Sequence, residues 1–334
     1  MLQYYRKKEL EIMINLYLSP DDNLSDILSE ITQPTTIYLK KGVYHAKTVI
    51  AADDVTIIGE DRETTVISYG DYAKKPHSDG REYNTFRTFT VCVTGERVVL
   101  DNLTVVNTND KPETQGQCVA LSVNAKVFHA RNVDLKSTQD TLFTAPFPDD
   151  LVIRYSGLTD DKTYYDGFIP RRQLYMEGES FHWFESCRIY GTVDFVFGGA
   201  RAFFDRCELI SLKEARGTGF VAAPCHSLKQ EHGYLFYKCN FLNGGAGQAS
   251  VYLARPWRDF GKCVFLDCTL GNHVSPLLFD KWNDTYRDRT ARFSYHNLSG
   301  GEFTPVSWAK ELSPESATDI INTFTALKNK YFEE

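Results

Sequence analysis

No run in this 334-residue chain approaches the roughly 18 consecutive apolar residues that a membrane-spanning helix needs, so none is expected. Positive charge is not in excess either. Against 44 Asp and Glu stand 37 Lys and Arg, a net charge of −7, and no basic surface for nucleic acid is implied. The eight cysteines, at 92, 118, 187, 207, 225, 239, 263 and 268, include no Cys-x-x-Cys pair, which leaves zinc and thioredoxin-like chemistry without support. There is no Gly-x-Ser-x-Gly elbow for a serine hydrolase and no His-Glu-x-x-His for a zinc protease. Gly217-Thr-Gly219 resembles a dinucleotide loop, but no helical pattern follows it. Behind Arg6, Lys7 and Lys8 no apolar segment of leader length appears, and the stretch from Ile12 to Leu18 runs into Asp21 and Asp22. A secretory leader is therefore not expected in the chain as given, and the expected location is cytoplasmic unless a leader has been removed.

A hydrophobic content of 42% and a charged content of 24% describe a globular protein. The length admits one large domain or two ordinary ones, and a single domain over 1–334 is expected. Ser19-Pro20 looks like a helix start, and Leu24, Ile27, Leu28 and Ile31 fall on one helical face, so a capping helix is expected at about 20–32. Ser313-Pro314, followed by Ala317, Ile320, Ile321, Phe324 and Leu327, predicts a second helix at about 314–330. Between them the pattern is strand and turn. Short β-rich runs recur near 36–39, 55–58, 64–68, 89–93, 98–106, 118–123 and 127–135, separated by Gly and Asn.

An internal echo organises these runs. Phe184-Glu-Ser-Cys187, Phe204-Asp-Arg-Cys207, Phe236-Tyr-Lys-Cys239 and Phe265-Leu-Asp-Cys268 share one pattern, with cysteines 20, 32 and 29 residues apart. Irregular repeats of roughly 20–50 residues indicate stacked units. When the units hold only strands, they predict an all-β parallel β-helix with interior ladders of Cys, Phe and Ile. Its two helices could cover the two ends, and a β-sandwich is the structural alternative. Residues 144–172 break the pattern with prolines and aspartates, as an excursion from one coil does.

Four segments place polar groups in apolar settings: Gln117-Cys-Val-Ala-Leu121, Gln139-Asp140-Thr-Leu-Phe143, Gly191-Thr-Val-Asp194-Phe-Val-Phe-Gly198 and Tyr252-Leu-Ala-Arg255-Pro-Trp257. Each alone has a structural explanation, as a ladder amide, a packing cation or a core ring. Together, two carboxylates, two amides, a guanidinium and an aromatic platform suit acyl transfer without a serine. One carboxylate attacks an ester carbonyl. The other gives a proton to the leaving alcohol and then takes one from water. Arginine keeps its carboxylate ionised and oriented, and the amides donate to the oxyanion.

With Gly42-Val-Tyr44 added, these motifs resemble those of the pectin methylesterases, in that family's order from about Thr36 to Trp282. The resemblance implies a right-handed parallel β-helix and hydrolysis of methyl esters on galacturonate units. It implies Asp194 as nucleophile, Asp140 as acid/base, Gln117 and Gln139 at the oxyanion, and Arg255 holding Asp194. Trp257 would stack on a sugar ring, and Thr85 and Tyr175 would contact substrate. No metal and no organic cofactor is implied, and the partner is a methyl-esterified polygalacturonate or its oligosaccharides, met by a monomer without membrane or nucleic acid.

Departures from the family pattern are Ala46, Ala254 and Phe143. The two aspartates also stand 54 residues apart, wider than usual because of the excursion. Cys187 and Cys207, where some relatives form a disulfide, are expected to be reduced. Alternatives are a glycoside hydrolase or lyase on a like scaffold, a non-enzymatic carbohydrate-binding solenoid, and a relative acting on another ester, including a thioester.

Overall fold

The computed structural model describes residues 13–147, 180–283 and 285–332. Most regular structure there is short strand, arranged in three sheets of 11, 7 and 8 strands. One turn of chain runs through Val127–Arg131, Asp134–Lys136 and Leu142–Thr144. The next runs through Phe181–Glu185, Arg188–Gly191 and Val193–Gly198. Each strand of the first turn pairs in parallel with its counterpart in the second, one pair per sheet. This is the expected parallel β-helix.

Two runs expected to be continuous, 98–106 and 127–135, are each broken at a corner. Asn102 and Asn132 adopt φ of 55° and 53°, and the strands divide into Val98–Asp101 with Thr104–Asn107, and Val127–Arg131 with Asp134–Lys136. Asn tolerates the left-handed region better than most L-residues. The two corners also bond to each other, Asn132 Nδ2 donating to Asn102 Oδ1 at 2.7 Å. The same corner precedes each cysteine of the repeat: Ser186, Arg206, Lys238 and Asp267 have φ of 52°, 53°, 52° and 54°.

The repeat therefore encodes a strand end, a corner and an inward thiol. Phe184, Phe204, Phe236 and Phe265 form a column with ring centroids 4.8, 4.5 and 4.8 Å apart and planes within 8°, 9° and 3°. That spacing is the separation of neighbouring strands, about 4.7–4.9 Å. Each thiol donates to a carbonyl of the preceding coil, Cys207 to Phe184 at 3.3 Å, Cys239 to Phe204 at 3.2 Å and Cys268 to Phe236 at 3.4 Å. All eight cysteines are buried free thiols, Cys187 and Cys207 among them.

The helices differ from expectation in detail. The first spans Leu24–Glu30, and its cap is Asn23, whose side chain accepts from the Asp26 N–H at 3.3 Å. Ser19 is not the cap. Its N–H and hydroxyl donate to the Asp22 carboxylate at 2.7 and 2.9 Å, which closes a turn over Ser19–Asp22, ahead of the helix. Leu24 and Leu28 join the main core. Ahead of the helix, Ile14–Leu18 pairs with Thr35–Leu39 as an unanticipated terminal strand of the largest sheet.

The second helix, Pro314–Phe332, does not close an end. Ala317 and Phe324 pack with Phe181, Trp183, Phe203 and Leu235, so it lies along the outer face of the 11-stranded sheet. Strands there are apolar on both faces, and burying the outer one requires this cover.

Removing one ring from the column tests the core. Phe204→Ala is expected to cost about 3–5 kcal/mol in urea unfolding, through lost burial and the cavity it leaves; a cost below about 1 kcal/mol would show that the ring column is not a main source of stability.

Candidate active site

The seven-stranded sheet carries the chemistry. Gln117 precedes its strand Leu121–Val123, and Gln139 and Asp140 precede Leu142–Thr144. Asp194 lies within Val193–Gly198, and Arg255 follows Val251–Ala254. Leu142 pairs with Val196, Phe143 with Phe197 and Thr144 with Gly198, an offset of 54 positions. That offset also relates Asp140 to Asp194, so the excursion between them leaves them at equivalent places on adjacent coils.

Neither aspartate sits in ordinary strand backbone. Asp140 has φ of 64° and Asp194 of 51°. The ladder from Val193–Gly198 to Gly219–Pro224 shifts register between Val193 and Val196, a bulge that takes in Asp194 and Phe195. Bulges re-aim side chains, and non-glycine residues in this region cost of order 1–3 kcal/mol each. Both carboxyls are thereby turned toward one open cleft of about 840 Å³, whose wall also includes Thr85, Gln117, Gln139, Arg255 and Trp257. Tyr175 lies outside the described residues.

Arg255 grips Asp194 bidentately, Nε to Oδ1 at 2.8 Å and Nη2 to Oδ2 at 2.6 Å. Its guanidinium is held between two rings, 3.8 Å from the Phe220 centroid and 4.0 Å from that of Trp282. Trp282 also lines the cleft. Its part was not legible in sequence, because nothing local links it to Arg255. Trp257 meets Phe147 and Phe197 edge-on at 6.1 and 5.8 Å and remains half-buried in the cleft wall. Phe143, fully buried, packs with Phe86, Phe147 and Phe197. Lys74 and Arg81 put positive charge on the same cleft, local compensation for an acidic chain.

The two carboxyls are electrostatically unequal. Burial, and then the charge of Asp194, push Asp140 well above the usual carboxylate range. Its Oδ1 is buried without a hydrogen-bond partner among the described residues. Burial raises Asp194 too, but Arg255 opposes this through its charge and its hydrogen bonds. Burial thus acts on both carboxyls, and the Arg255 grip offsets it at Asp194 through hydrogen bonds that Asp140 lacks. Among the described residues, no group of three His, Cys, Asp or Glu is placed to hold a metal ion. No helix there is long and apolar enough to cross a membrane.

The cleft thus gathers both carboxyls, both amides and the aromatic wall from separate coils of one parallel β-helix. The family description Pectinesterase matches residues 18–147 and 166–328, and the chain belongs to the pectinesterase family of carboxylic ester hydrolases. Pectinesterase 31 of Arabidopsis thaliana is 26% identical over 316 residues, covering 92% of this chain and 87% of that protein. Pectin methylesterase PemA from Erwinia chrysanthemi superposes with a TM-score of 0.73 at 21% identity, over 92% of this chain and 94% of that one. A pectin methylesterase solved in complex with a hexasaccharide gives 0.71 at 22%, over 89% and 90%.

A carboxyl whose folded pKa is raised favours folding below its unfolded value, about 4, and loses that contribution as pH rises through the folded one. Asp140→Asn is thus expected to gain thermal stability relative to the parent protein as pH increases from about 4 to 8. A difference in melting temperature that stays flat over that range would contradict the assignment.

Proposed function

We propose that this enzyme removes methyl esters from galacturonate units of pectin or of methylated oligogalacturonates, releasing methanol. The observation that carries the reading is the Asp194–Arg255 pair with the raised carboxyl of Asp140 at the equivalent place on the adjacent coil. Family membership and the hexasaccharide held by a structural relative support the substrate class.

In this mechanism an Asp194 oxygen attacks the ester carbonyl carbon. Amide N–H groups of Gln117 and Gln139 receive the negative charge that develops on the carbonyl oxygen. As the tetrahedral intermediate collapses, Asp140 gives its proton to the methoxy oxygen and methanol departs, leaving an anhydride between Asp194 and the substrate acyl group. Asp140, now ionised, takes a proton from water while the resulting hydroxide attacks the anhydride. The galacturonate carboxyl is freed, Asp194 returns as a carboxylate, and Asp140 is again protonated. Arg255 stabilises the Asp194 carboxylate before its attack and again on its release, and Trp257 offers a face for a sugar ring. Thr85 stands at the cleft wall as a substrate contact, and Tyr175 is proposed for the same role. The single-domain organisation over 1–334 and the monomeric state belong to the same proposal.

Methanol release from methyl-esterified polygalacturonate, assayed side by side with methylated oligogalacturonates, tests the proposal. Asp194→Ala and Asp140→Ala are each expected to lower kcat by at least about 10³-fold, since both take part in bond-making steps. Parent-like release by Asp194→Ala would end this reading, and new reducing ends from demethylated polymer would replace it with a glycosidase.

A further inference from the structure

Arg216 follows Leu212 in the chain, where the strand Glu208–Leu212 ends, and it carries none of the motifs. Its guanidinium nevertheless reaches the site. Nε donates to Glu214 Oε1 at 2.7 Å and Nη2 to Glu214 Oε2 at 3.2 Å, while the Arg216 N–H also donates to Oε1 at 3.0 Å. The anchoring carboxylate is buried, its side chain only 3% exposed, although the arginine is half-exposed. From this seat Nη2 donates to Gln139 Oε1 at 3.1 Å. Its charge also draws both Asp140 and Asp194 down, against the effect of burial.

A guanidinium has only donors, so the Gln139 atom facing it must be the oxygen. A glutamine amide is otherwise nearly symmetric in shape and can present either end to a neighbour. We propose that Arg216, braced by Glu214, is a positioning residue that fixes the Gln139 amide with its NH2 end in the cleft. The orientation matters because the proposed reaction needs a donor at the carbonyl oxygen. A flipped amide would offer a lone pair where negative charge develops and turn a stabilising group into a repulsive one. The proposal rests on the esterase reading above and adds a residue that acts through Gln139 rather than on substrate.

A double-mutant cycle on methanol release separates this role from its rivals. Gln139→Leu is expected to lower kcat by about 10²-fold, as loss of one oxyanion donor does. Arg216→Met is expected to lower kcat by about tenfold with little change in KM, and Arg216→Lys to recover part of the loss. In the double variant, Arg216→Met should add nothing to the effect of Gln139→Leu, because there is no amide left to orient. Multiplying effects, or a change confined to KM on substrates rich in free carboxylates, would overturn the proposal and make Arg216 a direct substrate contact. Thermal melts of each variant show whether it is folded.

A second measurement does not depend on the substrate. In a crystal structure of Arg216→Met at better than about 1.2 Å, Gln139 should take two orientations or leave its position. A single unchanged amide would refute the positioning role even if the parent protein proved inactive on pectin. Absence of methanol release by the parent protein, with Gln139 disordered in the variant, would instead sink the functional reading and leave the positioning role standing.

Discussion

Parallel, in-register stacking of coils is the constraint on which the rest of this protein depends. The site is not built by one segment; it appears only where distant segments lie one above another. Leu142 opposite Val196 brings Asp140 and Asp194 into the same place on adjacent coils, and Ala222 opposite Ala254 brings Arg255 up beside them. A slip of one residue in any of these ladders would turn every side chain of that strand to the opposite face. The phenylalanine column and the ladder of thiols oppose such slips, because each ring and each sulfur is matched to a partner one strand spacing away. Core packing and site geometry are therefore one requirement, met by strands of different sheets in the same stack of coils.

Against this regular background the site holds unfavourable features together. Two carboxyls are buried side by side, each on left-handed backbone, and one lies across a bulge. Isolated, such groups would be expelled or neutralised. Here Arg255 satisfies one of them and is itself fixed between Phe220 and Trp282, so neither partner has freedom to turn away. The other carboxyl has no such partner, and burial beside Asp194 favours its neutral form. Functional strain of this kind persists only where the surroundings over-determine it, and the fully buried strands flanking the bulge supply that rigidity.

The sequence disclosed the architecture through what repeats. Phe-x-x-Cys recurs because each coil must supply the same inward ring and thiol, and the composition of those positions is visible without coordinates. Corners escaped the sequence reading even at Asn102 and Asn132, which fall inside runs that look continuous. Ser186, Arg206, Lys238 and Asp267 adopt the same backbone with no residue type to announce it. The helix start was misplaced because Ser19-Pro20 has the composition of a cap, yet Asp22 satisfies the Ser19 groups first. The polar segments that line the cleft stood out since charged and amide side chains in apolar runs are costly. Trp282 and Arg216 did not, because their contributions are contacts made across coils, to Arg255 and to Gln139, and no spacing along the chain reports them.

The left-handed corners carry one more consequence. Each bend is completed within a single residue and owes nothing to the length of the chain that follows it. A coil can therefore take in or give up residues between bends while the stack below and above stays in step. The family description passes over 148–165 while resuming the match on either side. In such an architecture the floor of the groove is held constant by stacking, while its rim is free to diversify by insertion, so new specificities can arise without renegotiating the fold.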